Sequence, residues 1–178
     1  MNKPDRYYKY VFKLSFLMIA VILFGCRQKK YDSGRDLVTK NGLIYKIGEK
    51  KPFTGKVRGK AANKNIEYEV KNGLKDGEFV LYFPNGNVEI KGKIVKGENE
   101  GQWNYYYPNR TLESEGNFKS DLVNGKWRWY FPNGNLKEEG KYVDGKREGE
   151  WLSYNDDGSL YIKRFFKDNM ITDSVLAK

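Results

Sequence analysis

Histidine is absent from the 178 residues and cysteine occurs once. The chain therefore lacks the commonest general base and the commonest zinc ligand, and it has no internal disulfide framework. Long hydrophobic runs are missing too. The apolar stretch Leu14 to Gly25 has 12 residues, whereas a membrane-spanning helix takes about 20. Mean hydropathy is low, at −0.81. What stands in place of leucine and alanine is 16% aromatic residues and 19 glycines, a composition of strands and turns rather than helices. The length suits one ordinary domain.

The single cysteine follows a recognisable pattern. Lys3, Arg6, Lys9 and Lys13 precede the apolar stretch, and Cys26 follows it directly. A basic start before a short apolar run reads as an export signal. The junction Leu23-Phe24-Gly25-Cys26 resembles a bacterial lipobox, with Leu23 three residues before the cysteine, the small Gly25 just before it, and the Cys26 thiol as lipid acceptor. The alternative is a free cysteine at the end of a transmembrane anchor. Removal of residues 1–25 takes away four of 33 Lys/Arg and one of 23 Asp/Glu, leaving 29 basic and 22 acidic residues, a net +7. Such a chain leans toward anionic lipid, acidic glycan or an acidic protein, and its export argues against nucleic acid as a partner.

The rest of the chain repeats. Units of 24 residues begin at Gly77, Gly101, Gly125 and Gly149, with no gap between them. Four columns keep their chemistry: Phe79, Trp103, Trp127 and Trp151; Tyr82, Tyr106, Tyr130 and Tyr154; Val88, Leu112, Leu136 and Leu160; Ile94, Phe118, Tyr142 and Phe166. A weaker copy precedes them from Pro52, and Asn41 to Tyr45 starts a half-unit. Within a unit an alternating aromatic run meets Pro-Asn-Gly, as at Pro132–Gly134, and a second alternating run follows, which predicts a β-hairpin. With Asn133 and Gly134 as a two-residue loop, Phe131 faces Leu136, Trp129 faces Glu138, Arg128 faces Glu139 and Trp127 faces Gly140. By the same count Trp103 faces Gly116 and Phe79 faces Gly92, each glycine leaving room for a ring to lie across it. The last unit departs, since Trp151 faces Arg164 and Asp156–Gly158 replaces the turn motif. Terminal repeats cap a stack and are often atypical.

These features predict an all-β fold: one elongated, twisted antiparallel sheet of about ten strands, on the order of 50 Å long, preceded by a helical signal peptide. The expected divisions are a signal peptide over 1–25, a polar tether over 26–40, the hairpin repeats over 41–171 and a tail over 172–178. Val95–Gly101 and Val143–Gly149 are expected as the loops between hairpins.

The pattern Gly-x-Trp-x-x-Tyr-x-Pro-Asn-Gly-x-Leu, followed by Asp-Gly-Lys-x-x-Gly-x-Trp, resembles the MORN-repeat variant of bacterial YwqK-type toxin–antitoxin antitoxin components. The resemblance spans about Pro52 to Ile171 and is strongest from Gly125 to Trp151. Arg110 stands where the family has the turn glycine, and Asp121 where it has a loop glycine. The resemblance implies a hairpin array used as a binding surface, with an antitoxin or immunity role as one version.

Catalysis finds little support. Asp156 and Asp157 sit where a hairpin turn favours Asp, Glu138 and Glu139 point to opposite faces of one strand, and Asn155–Ser159 falls short of a calcium ligand set. No cofactor, metal or catalytic residue is expected. The better candidate is the tyrosine column, Tyr82, Tyr106, Tyr130 and Tyr154, on the face opposite the tryptophans with Arg128, Lys137, Lys91 and Lys163 beside it. Rings and cations together suit a peptide, glycan or lipid headgroup. The alternative is a ladder that only stabilises a single-layer sheet. The expected function is a lipid-anchored, non-enzymatic scaffold at the cell envelope, facing the periplasm or the cell surface, that binds a protein partner; the alternative is an envelope module for anionic lipid or glycan.

Overall fold

The structure, a computed structural model, describes residues 30–177. The expected signal peptide and its lipobox, Leu23, Gly25 and Cys26, lie outside the described residues. The described chain has fourteen strands: β1 (Lys30–Asp32), β2 (Leu37–Lys40), β3 (Leu43–Lys46), β4 (Gly55–Ala61), β5 (Lys64–Lys71), β6 (Leu74–Tyr82), β7 (Val88–Val95), β8 (Glu98–Tyr106), β9 (Leu112–Lys119), β10 (Leu122–Tyr130), β11 (Leu136–Val143), β12 (Lys146–Tyr154), β13 (Leu160–Lys167) and β14 (Met170–Leu176). Twelve form one sheet in the order β1-β4-β5-β6-β7-β8-β9-β10-β11-β12-β13-β14, and β2 and β3 pair separately.

The all-β repeat sheet is as expected, with differences at its ends. From Lys30 the expected tether is strand: β1 runs parallel to β4, the one parallel pair among the described residues, and β2 enters the hairpin β2–β3. The tail also continues the sheet, as β14. Leu37 explains the first difference. It is buried with Phe53, Val57 and Val70, and Tyr31, Ile44 and Tyr68 pack around this cluster. Burial of such side chains stabilises by roughly 1.5–3 kcal/mol each, enough to draw a short polar segment onto the sheet. Backbone hydrogen bonds from Ile44 to Gly73, Phe53 to Ile44 and Gly73 to Phe53, all 2.8 Å, fasten the small hairpin there.

The turns at the two edges of the sheet differ. Along one edge, two-residue loops put both residues at positive φ: 50° and 98° at Lys96 and Gly97, 46° and 64° at Ser120 and Asp121, 47° and 82° at Asp144 and Gly145. These are the mirror-image turns whose twist matches that of the strands. The expected long loops are thereby shortened to two residues each, because the charged residues after them pair at once, Tyr142 with Arg147 and Lys141 with Glu148.

Along the other edge the loop is one residue longer than expected. Gly134 N–H donates to Phe131 O, and Phe131 N–H donates to Asn135 O, both at 2.8 Å. Pro132 and Asn133 thus form a turn that Gly134 closes at φ 91°. Tyr130 pairs with Leu136, where Phe131 was expected, yet Trp129 pairs with Glu138 and Trp127 with Gly140 as predicted. Lys137 is left as a bulge residue that cancels the longer loop. The same shift recurs between Leu81 and Tyr82, Tyr105 and Tyr106, and Ser153 and Tyr154.

Successive turns are stitched together by asparagine. Asn87 Nδ2 donates to Pro108 O at 2.9 Å, and Asn133 and Asn135 Nδ2 both donate to Asp156 O, at 3.0 and 2.7 Å. Pro-Asn-Gly therefore builds its own turn and holds the next one.

Candidate binding surface

The column of Phe79, Trp103, Trp127 and Trp151 forms the spine of one face. Phe79 is half-buried, whereas Trp103, Trp127 and Trp151 are 5%, 6% and 0% exposed, which makes the rings core rather than contact surface. The glycines Gly92, Gly116 and Gly140 make room as expected, but for a different ring. A side chain on Gly140 would strike Trp151, one on Gly116 would strike Trp127, and one on Gly92 would strike Trp103. Trp127 is thus paired with Gly140 through the backbone while its indole leans back over Gly116 of the preceding unit. Each indole crosses a unit boundary. Rings then touch along the face: Phe79 to Trp103 at 5.5 Å, Phe118 to Trp127 at 5.4 Å, Trp129 to Trp151 at 5.6 Å and Trp151 to Phe166 at 5.6 Å. The Arg147 guanidinium closes the end of this row, 4.5 Å from the Trp151 ring.

The opposite face carries Tyr82, Tyr106, Tyr130 and Tyr154, all half-buried. Its cations are matched by carboxylates. Arg128 lies between Glu115 and Glu139, with N···O distances of 3.4 and 3.3 Å, and Lys126 meets Glu139 at 2.8 Å. Lys91 meets Glu78 at 2.7 Å and Lys163 meets Glu150 at 2.6 Å. Lys137 instead lies 5.6 Å over the Phe131 ring. The Tyr130 hydroxyl donates to Glu115 Oε1 at 2.8 Å. Burial, with that carboxylate beside it, pushes the phenol pKa up to about 12. Burial raises the Tyr82 and Tyr154 phenols as well. Sequence reasoning put Arg128 on this face but missed Glu115 as its partner from the preceding strand; strand alternation across the pair Arg128–Glu115 was the signal.

A second feature was not foreseen. Where β1 lies along β4, a concavity of about 860 Å³ opens, and Asp32, Arg58, Lys60, Asn65, Glu67 and Tyr82 line it. Both acids are engaged. Glu67 accepts from Lys30 Nζ at 2.6 and 2.7 Å. Asp32 accepts from the Gly34 and Arg35 backbone N–H groups at 3.0 and 3.1 Å, the former being the main reason its pKa falls below the usual carboxylate value. Arg58 and Lys60 are exposed. Tyr82 thus joins the tyrosine column to a hollow with positive charge on its wall.

No curated protein matches the chain. Hairpin β8–β9, with Arg110 and Asp121 in its turns, keeps the register of its neighbours, pairing Trp103 with Gly116. On either side of it, residues 75–95, 123–144 and 147–168 match the MORN repeat variant, so these three segments of the array are similar to that repeat.

Proposed function

We propose that the protein is a non-enzymatic scaffold, anchored in the cell envelope through a lipid on Cys26, whose repeat sheet binds a protein partner. The observation that carries this reading is the tyrosine column. Four phenols recur every second strand, about 9.6 Å apart, and the first of them opens onto the hollow beside β1. A row of equivalent, half-buried rings suits an extended partner, since tyrosine supplies contact area with little conformational freedom to lose. Immunity toward an exported toxin is one version of this role, implied by the family resemblance alone. The test is capture from envelope extracts. One protein should be recovered in stoichiometric amount and lost with Tyr82→Ser plus Tyr106→Ser, with the β-sheet circular dichroism retained. Recovery unchanged by the double substitution would overturn the tyrosine column as the surface. Lipidation is tested separately: Cys26→Ala should abolish palmitate labelling and membrane fractionation, and a variant that still labels removes the anchor from the reading.

A second reading rests on Arg58 and Lys60, exposed cations on the wall of the hollow. They favour an anionic lipid headgroup or glycan. Salt-sensitive sedimentation with anionic vesicles, lost on Arg58→Gln plus Lys60→Gln, supports it; binding that survives both substitutions sinks it.

A further inference from the structure

The two ends of the sheet are finished differently. At the β1 end, a three-residue strand is backed by the β2–β3 hairpin and the cluster around Val57. At the other end, β14 is exposed at all seven positions. Met170, Ile171, Val175 and Leu176 are 69%, 57%, 53% and 62% exposed. One side of β14 pairs with β13 and the other pairs with nothing among the described residues. Natural edge strands are usually blunted by lysine, proline, a bulge or a covering element, and of these β14 has the bulge at Thr172. The segment Met-Ile-Thr-Asp-Ser-Val-Leu has neither lysine nor proline.

We infer that β14 is the contact through which two copies of this chain join, antiparallel, into one continuous sheet. The argument is the symmetry of the strand. It reads apolar pair, polar trio, apolar pair in both directions: Met170 and Ile171, then Thr172, Asp173 and Ser174, then Val175 and Leu176. Antiparallel pairing centred on Asp173 places Met170 opposite Leu176, Ile171 opposite Val175 and Thr172 opposite Ser174, twice each. This is the self-complementarity that a two-fold interface demands. The apolar run Leu14–Gly25 of the same copy cannot take the place. β14 lies eleven strand spacings from β1, about 50 Å, and Leu14 is 16 residues before Lys30, about 55 Å of fully extended chain. That run reaches β14 only end-on, with nothing left to pair along it. Two features oppose this pairing: Asp173 against its own copy, and the bulge at Thr172, where Phe165 pairs with Asp173 and Phe166 with Ile171, which must straighten for the outer edge to pair throughout.

The experiment uses the full chain in nonionic detergent. In a Cys26→Ser background, Asp173→Cys should form a covalent dimer under mild oxidation. The rate should exceed that of Asp156→Cys, in the turn between β12 and β13, by at least about tenfold, since only directly opposed positions bring Cβ atoms within bonding range. Adding Val175→Lys should abolish that advantage. Sedimentation of Asp173→Asn should show association about two- to fivefold tighter, because like charges directly opposite weaken a strand pair. Equal oxidation at both cysteines, persistence with Val175→Lys, weaker association of Asp173→Asn, or cross-linking only to a different protein would each overturn the inference.

Discussion

Gly140 has no side chain in the place where the six-membered ring and pyrrole edge of Trp151 lie. Gly140→Ala should therefore lower stability by roughly 1–3 kcal/mol, the usual range for overpacking a close contact. Urea unfolding in a double-substitution cycle checks it: the loss should shrink when Trp151→Leu is present and persist when Trp127→Leu is present, since Trp127 covers Gly116 instead. Arg110 makes the complementary case. It holds φ 74° where the turns of neighbouring units have glycine, and its Nε donates to Asn87 Oδ1 at 2.9 Å. A left-handed backbone disfavours a residue with a Cβ by about 1–2 kcal/mol, more than one exposed hydrogen bond returns. Arg110→Gly should raise the urea midpoint by an amount equivalent to about 0.5–1 kcal/mol.

At the level of the hairpin, β10 and β11 show which parts of an element could be read in advance. Trp127 opposite Gly140 was legible because alternation and a tight turn fix a pairing close by in sequence. The route to it was not. The three-residue loop at Pro132–Gly134 and the bulge at Lys137 are two departures that offset each other, so the deep register survives while Tyr130, not Phe131, meets Leu136. The face of this hairpin also has a pH signature. The Tyr130 phenol is raised to about 12 from an unfolded value near 10, which favours its neutral form in the fold. The stability it contributes is complete below pH 10 and is lost as pH rises through 12. Ultraviolet titration should find Tyr130 ionising last among several raised tyrosines, and Glu115→Gln should bring it down toward the ordinary value by removing the carboxylate that accepts its proton. A late phase unchanged in that variant would assign the shift to burial alone.

Across the whole molecule the sheet behaves as a line of units that stabilise one another. Trp103, Trp127 and Trp151 each lie over a glycine of the preceding unit, and the turns carrying Asn87, Asn109 and Asn133 reach the next, so each of these hairpins leans on its neighbour. Because the contacts repeat at 24 residues, excision of residues 101–124 should leave a folded sheet with two strands fewer. Its urea m-value should fall by roughly one-sixth, following the surface buried. Excision of residues 101–112 alone reverses the direction of every later strand and should abolish the cooperative transition. Circular dichroism against urea separates the two.

Residues 77–172 by themselves determined the period, the hairpins and the pairing of each aromatic with its glycine, because all three follow from alternation and turn chemistry within a few residues. Tertiary structure alone decided three things. The sheet's twist decided that Trp127 leans onto Gly116 rather than Gly140; the approach of a third strand decided that Arg128 is neutralised by Glu115 as well as Glu139; and the burial of Leu37 decided that the chain from Lys30 joins the sheet. Each depends on side chains from strands that are not partners across one turn, and the order of residues along the chain does not specify how those strands lean, approach or cover one another until the sheet has formed.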